Sequence, residues 1–245
     1  MDITLYSMGL SHPSQAAELM LAHKGLDHRR VSIPAGMQPL VLRALRFREM
    51  TVPAMKINGR RVQGTLQISR ALDEARSEPP LFPADPERRR AVEEAETWGE
   101  SVYQPVPRRI FRWATTRDPQ LRAWVAADAR IPAPAVAARL TRPVSSWFAH
   151  SAGADDERVR ADLRELPAHL NRVDALIADG TLDGENLNAA DFQIGTTTRT
   201  LLHMPPLREL VSGRPAEQHA MRVAPSFGDE IPLTLPPGFE PAPAS

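Results

Sequence analysis

Hydroxyl side chains stand at the start of two predicted helices, and these are the residues best placed for chemistry. Ser11 and Ser14 flank the start of a helix that apolar spacing extends to about Lys24. Thr65 is the predicted N-cap of a second apolar-faced helix. A helix start leaves backbone N–H groups unpaired and favours negative charge, so a hydroxyl there can help to hold a carboxylate. The ordinary role of such a hydroxyl is to cap the helix, and both roles can coexist.

A predicted β-hairpin positions Thr65. Pro53 pushes the residue before it towards extended geometry, and a short strand follows at residues 54–57. Asn58-Gly59 is the two-residue signal for a type I′ turn, in which both residues take positive φ. The return strand at residues 60–63 ends at Gly64, so this stretch predicts strand, turn, strand and helix.

The residues before this hairpin complete a small α/β unit. Strands are predicted at residues 3–6 and 30–33, with one helix ending near Lys24 and another at residues 39–47. The order from residue 2 to about 76 is therefore βαβαββα. Four prolines between Glu78 and Pro86 then interrupt both periodicities. We therefore predict one domain at residues 1–77 and a linker at residues 78–86.

The rest of the chain, residues 87–245, shows helical patterns and no convincing strand alternation. Four segments are predicted to be helical: residues 87–117, Pro132 or Pro134 to Phe148, residues 155–178, and a helix that opens at Asn188. Pro105 and Pro107 must kink or break the first of them, because proline removes a backbone donor. From about residue 225 the chain is proline-rich, and we expect it to wrap the surface or to be partly disordered.

The last predicted helix carries its own start signal. Asn188 is a predicted N-cap, and Asp191, three residues later, can reach back to it with its carboxylate. Leu187 and Phe192 occupy the two apolar positions that clamp the entry of the chain. This capping box predicts that the helix starts at Asn188.

Composition excludes several classes of function. Lys+Arg and Asp+Glu are balanced at 30 each, so net charge indicates neither nucleic acid nor an anionic membrane as a partner. The chain has no cysteine, which excludes disulfides, thiolate metal sites and thiol–disulfide exchange by the protein itself. The seven histidines show no metal-ligand spacing, so no metal is expected. No apolar run has membrane-spanning length and no signal-peptide pattern opens the chain, so we expect a cytoplasmic protein.

The elements around Pro53, followed by the capping box at Asn188, resemble cytosolic glutathione S-transferases of the serine type. The resemblance implies a thioredoxin-like N-terminal domain followed by an all-α C-terminal domain, and a cis bond before Pro53. It also implies a homodimeric detoxification enzyme that uses glutathione as co-substrate and joins its thiol to an electrophilic small molecule. Glutaredoxin-like and omega-like chemistry is excluded, because it needs a cysteine at the start of the first helix.

The resemblance assigns the catalytic hydroxyl to Ser11. The segment Leu10–Ser14 resembles the Ser-Pro-x-Ser opening of serine-type members, in which the hydroxyl donates a hydrogen bond that stabilises the thiolate. His12 stands where proline is usual, so two alternatives stay open. Ser14 is the partner of the thiol in one, and Ser11 is only an N-cap in the other.

The resemblance also implies a binding site for the rest of glutathione. The backbone of Val52 would bind the cysteinyl part, Pro53 would shape that loop, and Thr65 would bind the γ-glutamyl carboxylate. Two further positions depart from the family pattern. Gly64 stands where Glu or Gln is usual, and Gln38 replaces a lysine that holds the glycyl carboxylate in tau-like members. Losing two charge-assisted contacts costs ~1.5–3 kcal/mol each, so the bound thiol is either weakly held glutathione or another thiol such as mycothiol.

An electrophile pocket is predicted between the two domains. Its candidate residues, chosen on position alone, are Met8, Tyr103, Arg108, Phe111 and Arg112. Ordinary packing or a solvated helix face is the alternative for each of them. Two other functions stay open on the same fold: a non-catalytic protein that binds an apolar ligand or a partner, which the departures at Gly64 and Gln38 favour, and a thiol-dependent isomerase or dehalogenase.

Overall fold

A four-stranded mixed sheet is the centre of the N-terminal part of the chain, in a computed structural model that describes residues 1–242. The elements are β1 (Ile3–Ser7), α1 (His12–His23), β2 (Arg29–Ser32), α2 (Gln38–Ala44), β3 (Ala54–Ile57), β4 (Arg60–Gln63) and α3 (Thr65–Ala75). The strand order is β2-β1-β3-β4, with β1 parallel to β2 and antiparallel to β3. This thioredoxin-like βαβαββα arrangement confirms the predicted fold class.

The predicted hairpin is confirmed to the residue. Strands β3 and β4 pair antiparallel from Ala54 opposite Gln63 to Ile57 opposite Arg60. Asn58 and Gly59 form the turn with φ of 47° and 81°, as a type I′ turn requires. The Val52-Pro53 peptide bond is cis, as the resemblance implies.

The start of α3 differs from the prediction by one residue. Gly64 is the N-cap, with φ 85° and ψ 153°, and Thr65 is the first helical residue. The chain must turn sharply from β4 into α3, and that positive φ is open to glycine but strained for other residues. The backbone N–H of Gly64 donates to the carbonyl of Pro53 at 3.0 Å, which ties the helix start to the cis-proline loop.

The described residues beyond α3 contain helices and no strand. These are α4 (Pro86–Trp98), a π-helical segment (Gly99–Tyr103), α5 (Pro105–Arg117), α6 (Pro119–Asp128), α7 (Pro134–Leu140), α8 (Arg142–Ser151), α9 (Asp156–Ala178), α10 (Ala189–Leu202), α11 (Pro205–Val211) and α12 (Pro215–Val223). Proline opens most of them, because its missing N–H is unpaired at a helix start in any case. Residues 76–85 belong to no helix or strand, while the domain limits at 77 and 86 stay a prediction.

The predicted break between residues 87 and 117 takes the form of the π-helical segment. The N–H of Gln104 donates to the carbonyl of Gly99, five residues back, at 2.8 Å. Pro105 and Pro107 follow in the first turn of α5, where they cost no intrahelical hydrogen bond. The prolines thus end one helix and begin the next.

Two details of the middle region were predicted wrongly. Helix α6 was missed, although Asp118-Pro119 is a start signal: the Asp118 carboxylate accepts from the N–H groups of Gln120 and Leu121 at 2.7 and 3.2 Å. The single helix predicted up to Phe148 is two helices, α7 and α8. Pro143 in the first turn of α8 interrupts them, since it cannot continue the hydrogen bonding of α7.

The long helix α9 and the capping box of α10 are confirmed. The Asn188 side chain accepts from the N–H groups of Ala190 and Asp191, and the Asp191 carboxylate accepts from the N–H of Asn188 at 2.7 Å. The second oxygen of Asp191 accepts from the N–H of Asp183 and pairs with His219; the side chains of Asp191 and His219 are fully buried. Asp191 therefore joins the start of α10 to α12.

The proline-rich segment from residue 225 wraps the surface as far as it is described. Three apolar side chains of the segment are buried: Ile231, Leu233 and Phe239. The centre of the Phe239 ring lies 4.3 Å from the ring centre of Trp113 on α5. The segment therefore adds apolar side chains to the core of the helical part. The remaining residues 243–245 of the predicted tail lie outside the described residues.

Candidate active site

A cavity of about 200 Å³ lies between the sheet and the helical part. One wall comes from the loop after β1, the start of α2 and the residues before Pro53. The other wall comes from α5, α6 and α8, with Ile231 of the wrapping segment at its edge. The loop after β1 enters α1 directly, so the cavity meets the N-terminus of that helix.

Ser11 lines this cavity and caps α1 at the same time. Its Oγ accepts from the Ser14 N–H at 3.3 Å and from the Ser14 Oγ at 3.0 Å. Two accepted hydrogen bonds occupy the lone pairs of a hydroxyl oxygen, so the O–H of Ser11 is left to donate elsewhere. Ser14 is buried and does not line the cavity, so of these two serines it is Ser11 that faces it.

His12 lies beside Ser11 as a buried neutral imidazole. Burial first, and then the positive charge of Arg108, lower its pKa to about 3, while a hydrogen bond with the backbone of Gln104 opposes both. Its Nε2 is buried and has no hydrogen-bond partner within residues 1–242. His12 therefore adds no positive charge to the cavity at neutral pH.

Met8, Gln38 and Val52 line the cavity near Ser11. The Gln38 Nε2 donates to the sulfur of Met8, which is a weak acceptor. The Gln38 Oε1 is buried without a hydrogen-bond partner in the described part of the chain. Gln38 thus has one amide N–H that is only weakly engaged, while its amide oxygen is enclosed by the protein.

The helical wall carries three arginines, Arg108, Arg112 and Arg122, and no Asp or Glu of residues 1–242 lines the cavity. Burial lowers the pKa of Arg108, and the negative charge of Glu100 opposes this shift. Burial and then the positive charge of Arg108 lower the pKa of Arg112 to about 10. With a pKa of about 10, Arg112 stays charged at neutral pH. Phe111, which lies between Arg108 and Arg112 in the sequence, also lines the cavity.

Thr65, Gly64 and Pro53 are not among the lining residues. Thr65 is fully buried, and its hydroxyl makes no hydrogen bond of ordinary geometry within the described residues. Burial raises the pKa of the Glu100 carboxyl. The nearby Thr65 hydroxyl, the charge of Arg108 and the Gln193 amide each act in the opposite direction. Gln193 donates to Glu100 at 2.7 Å, so Thr65 belongs to a second polar cluster with Glu100 and Gln193.

Tyr103, predicted to line the electrophile pocket, lies in the core instead. Its ring stacks on Trp98 with the ring centroids 5.3 Å apart, and its hydroxyl is 3.0 Å from the Thr198 hydroxyl. Burial raises the pKa of the phenol well above its usual range. Tyr103 is the last residue of the π-helical segment. No sequence pattern predicted that segment, so the direction of the Tyr103 side chain could not be predicted from helical spacing.

Three residues near the predicted site were not chosen from the sequence for chemistry: His12, Glu100 and Arg122. Neither Glu100 nor Arg122 stands out in the sequence, because acidic residues and arginines are common on exposed helix faces. Only the fold shows that Glu100 and Arg122 point inwards. Within residues 1–242 no group of three or more acidic or histidine side chains could hold a metal ion, and no helix is long and apolar enough to cross a membrane.

A thioredoxin-like sheet joined to an all-helical part is a glutathione-transferase-like fold. Residues 5–80 match the family model of the glutathione S-transferase N-terminal domain. This match covers the sheet and its helices but not the helical part that follows. No curated protein matches the sequence.

Solved structures share the fold over nearly the whole chain. A glutathione S-transferase from Rhodospirillum rubrum F11 has 19% identity and a TM-score of 0.61, covering 98% of this chain and 96% of that one. One from Methylobacterium radiotolerans, in complex with glutathione sulfonate, has 20% identity and a TM-score of 0.58, covering 96% and 97%. Maleylacetoacetate isomerase from Anaeromyxobacter dehalogenans, with bound dicarboxyethyl glutathione and citrate, has 18% identity and a TM-score of 0.55, covering 92% and 91%.

Proposed function

We propose that this protein is a glutathione-dependent transferase that joins the thiol of glutathione to an electrophilic small molecule. The observation that carries the proposal is the hydroxyl of Ser11, which faces the cavity with its O–H left to donate. Similar structures that contain glutathione derivatives support the choice of thiol, and nothing in the cavity favours mycothiol over glutathione.

The proposed chemistry is stabilisation of a thiolate. The Ser11 hydroxyl donates to the sulfur, the N-terminus of α1 favours negative charge, and the guanidinium of Arg108 adds a positive field. The sulfur then forms a bond to the electrophilic carbon, and the electron pair leaves on the departing group. Rate comes from proximity and from charge stabilisation, without a covalent enzyme intermediate.

The rest of glutathione is proposed to bind along the N-terminal domain. The backbone of Val52 pairs with the cysteinyl part, Gln38 bonds the glycyl end, and Thr65 at the start of α3 binds the γ-glutamyl carboxylate. The Glu100 carboxylate next to Thr65 suits the α-ammonium group of the same γ-glutamyl unit. Because Thr65 is fully buried, its neighbours must move when the ligand binds.

Calorimetric titration with glutathione tests the thiol site. We expect saturable binding that Thr65→Val, which keeps the shape but removes the hydroxyl, weakens about tenfold. We expect Ser11→Ala to bind glutathione comparably but to conjugate it ten- to a thousandfold more slowly. Ser146→Ala, at an exposed serine of α8, is the matched control. No binding of glutathione or mycothiol at millimolar concentration would leave the non-catalytic alternative.

Two rival functions have specific support. The complete burial of Thr65, with glycine at position 64, favours a protein that keeps the fold to bind a ligand without catalysis. The likeness to maleylacetoacetate isomerase favours a thiol-dependent isomerase on the same site. We further propose a cytoplasmic homodimer with a role in detoxification. A monomeric mass in light scattering would contradict the dimer.

A further inference from the structure

We propose that the cavity selects electrophiles that carry a carboxylate or a similar anionic group on an apolar body, and that Arg112, with Arg108, binds that group. The inference names the substrate class of the proposed transferase and so rests on that function. The observation behind it is the charge of the cavity wall. Three arginines line the wall, and no Asp or Glu of the described residues does.

Arg108 and Arg112 are four residues apart on α5, so they lie on the same face of the helix. The only hydrogen bond recorded for Arg112 within residues 1–242 runs to the carbonyl of Phe148 at 3.5 Å, which is long for a guanidinium. Arg108 has Glu100 in its surroundings, which offsets part of its charge. Arg112 is therefore the stronger candidate for the direct contact, and Arg108 supports it.

Arg122 shows what a structural arginine looks like in the same wall. Its guanidinium donates to the carbonyls of Ala138 and Thr115 at 2.7 and 2.6 Å, which holds α7 and α5 around α6. Arg112 has no such pair of short contacts with any residue that the structure describes. Arg112 is only partly buried and lines the cavity, so its donors are available to an acceptor that enters there.

The surroundings of Arg112 are apolar. Its guanidinium lies 5.4 Å from the centre of the Phe148 ring, and Phe111, Val144 and Met8 line the same cavity. An anion held there is partly removed from water, so its attraction to the arginines exceeds that of a surface pair. A neutral ligand of the same shape would fill the apolar part but leave the guanidinium without an acceptor.

Fluorescence titration with two probes of similar shape tests this inference without any thiol. The anionic probe is 8-anilinonaphthalene-1-sulfonate, and the neutral one is N-phenyl-1-naphthylamine. We expect Arg112→Gln to weaken the anionic probe about ten- to a hundredfold, the range of one charge-assisted hydrogen bond, and the neutral probe less than twofold. Arg112→Lys should restore most of the loss.

The control variant is Arg139→Gln, which removes one positive charge from an exposed position of α7 outside the cavity wall. It should leave both probes unchanged. If Arg112→Gln weakens both probes equally, Arg112 contributes apolar packing and the inference is overturned. If Arg112→Gln changes neither probe, or if Arg139→Gln has the same effect as Arg112→Gln, it is also overturned.

Turnover gives a second readout for an active transferase. The thiolate would displace chloride from 4-chloro-3-nitrobenzoate or from the neutral 4-chloro-3-nitrobenzamide. The ratio of kcat/KM for the acid to that for the amide should be about tenfold lower in Arg112→Gln than in the wild type. The two substrates differ in intrinsic reactivity, but that difference is the same for both enzymes and cancels in the comparison. Charge-dependent probe binding without glutathione binding would overturn the proposed transferase but keep the anion site. Glutathione binding together with probe binding that does not depend on charge would overturn the anion site but keep the proposed transferase.

Discussion

His12 is the single residue at which burial has the clearest consequence for stability. Its pKa is about 3 in the folded chain, against 6.5 for an ordinary solvated histidine such as the unfolded chain contains. Between those values the unfolded chain binds one more proton than the folded chain at this position. The free energy of unfolding therefore falls as pH drops from about 6.5 towards 3, and it is fully retained above 6.5.

Removing His12 should flatten that dependence. From pH 7 to pH 5 we expect the wild-type chain to lose about 2 kcal/mol more than His12→Gln, because each pKa unit is worth about 1.4 kcal/mol. Urea unfolding at pH 7, 6 and 5 measures the difference. His150→Gln, at an exposed histidine of α8, should keep the wild-type dependence. Equal slopes for wild type and His12→Gln would contradict the prediction.

Most of the site residues named from the sequence line the cavity, but their contacts could not be predicted. The predicted residues that the structure places on the cavity are Met8, Ser11, Gln38, Val52, Arg108, Phe111 and Arg112. Their positions follow from a known order of elements, in which loops after particular strands and helices meet. Thr65 and Tyr103 lie elsewhere, because side-chain burial and the turn of a π-helical segment depend on packing that no local pattern encodes.

At the scale of elements, local signals decided which predictions succeeded. The Asn58-Gly59 turn and the Asn188 capping box each act within four residues, and both were found at the predicted positions. The break between α7 and α8 is also local, because Pro143 in the first turn of α8 cannot continue the hydrogen bonding of α7. The start of α3 was displaced by one residue because a glycine with positive φ took the capping position.

The cap of α10 should be worth a measurable amount. Asn188→Ala loses the oxygen that accepts from two backbone N–H groups, so we expect a loss of about 1–2 kcal/mol in the free energy of unfolding. Asn188→Ser keeps a capping oxygen and should cost clearly less, although it loses the bond to the Thr181 carbonyl. Urea unfolding compares the three proteins. Equal losses in the two variants would show that the cap is not the cause.

At the scale of the whole molecule, the last described residues join distant parts of the helical region. Ile231 reaches the cavity edge, while Phe239 lies against Trp113, and Arg160 of α9 lies over the Phe239 ring at 4.1 Å. The N–H of Ala242 donates to the carbonyl of Leu163 at 3.3 Å. The segment therefore stabilises α5 and α9 together, although its composition alone also fitted a disordered tail.

Phe239→Ala tests this role. Removing a buried aromatic ring should cost about 3 kcal/mol, near the low end for phenylalanine because a surface segment relaxes more easily than a core. Thr234→Ala, at an exposed position of the same segment, should cost less than about 0.5 kcal/mol by the usual size of surface substitutions. Urea unfolding gives both values. A loss below about 1 kcal/mol for Phe239→Ala would mean that the segment contributes little.

The π-helical segment also explains how one apolar stripe serves two partners. Buried residues recur with helical spacing from Val92 through Gly99 and Tyr103 to Ile110 and Trp113, as if one straight helix ran there. One extra residue per turn shifts the angular phase by about 100°, the rotation of a single residue in an α-helix. The stripe of α4 therefore faces α10, while that of α5 faces α8 and α9. Deleting one residue from the segment would restore the phase and rotate Arg108 and Arg112 away from the cavity, so the length of this one turn sets which charges a ligand meets.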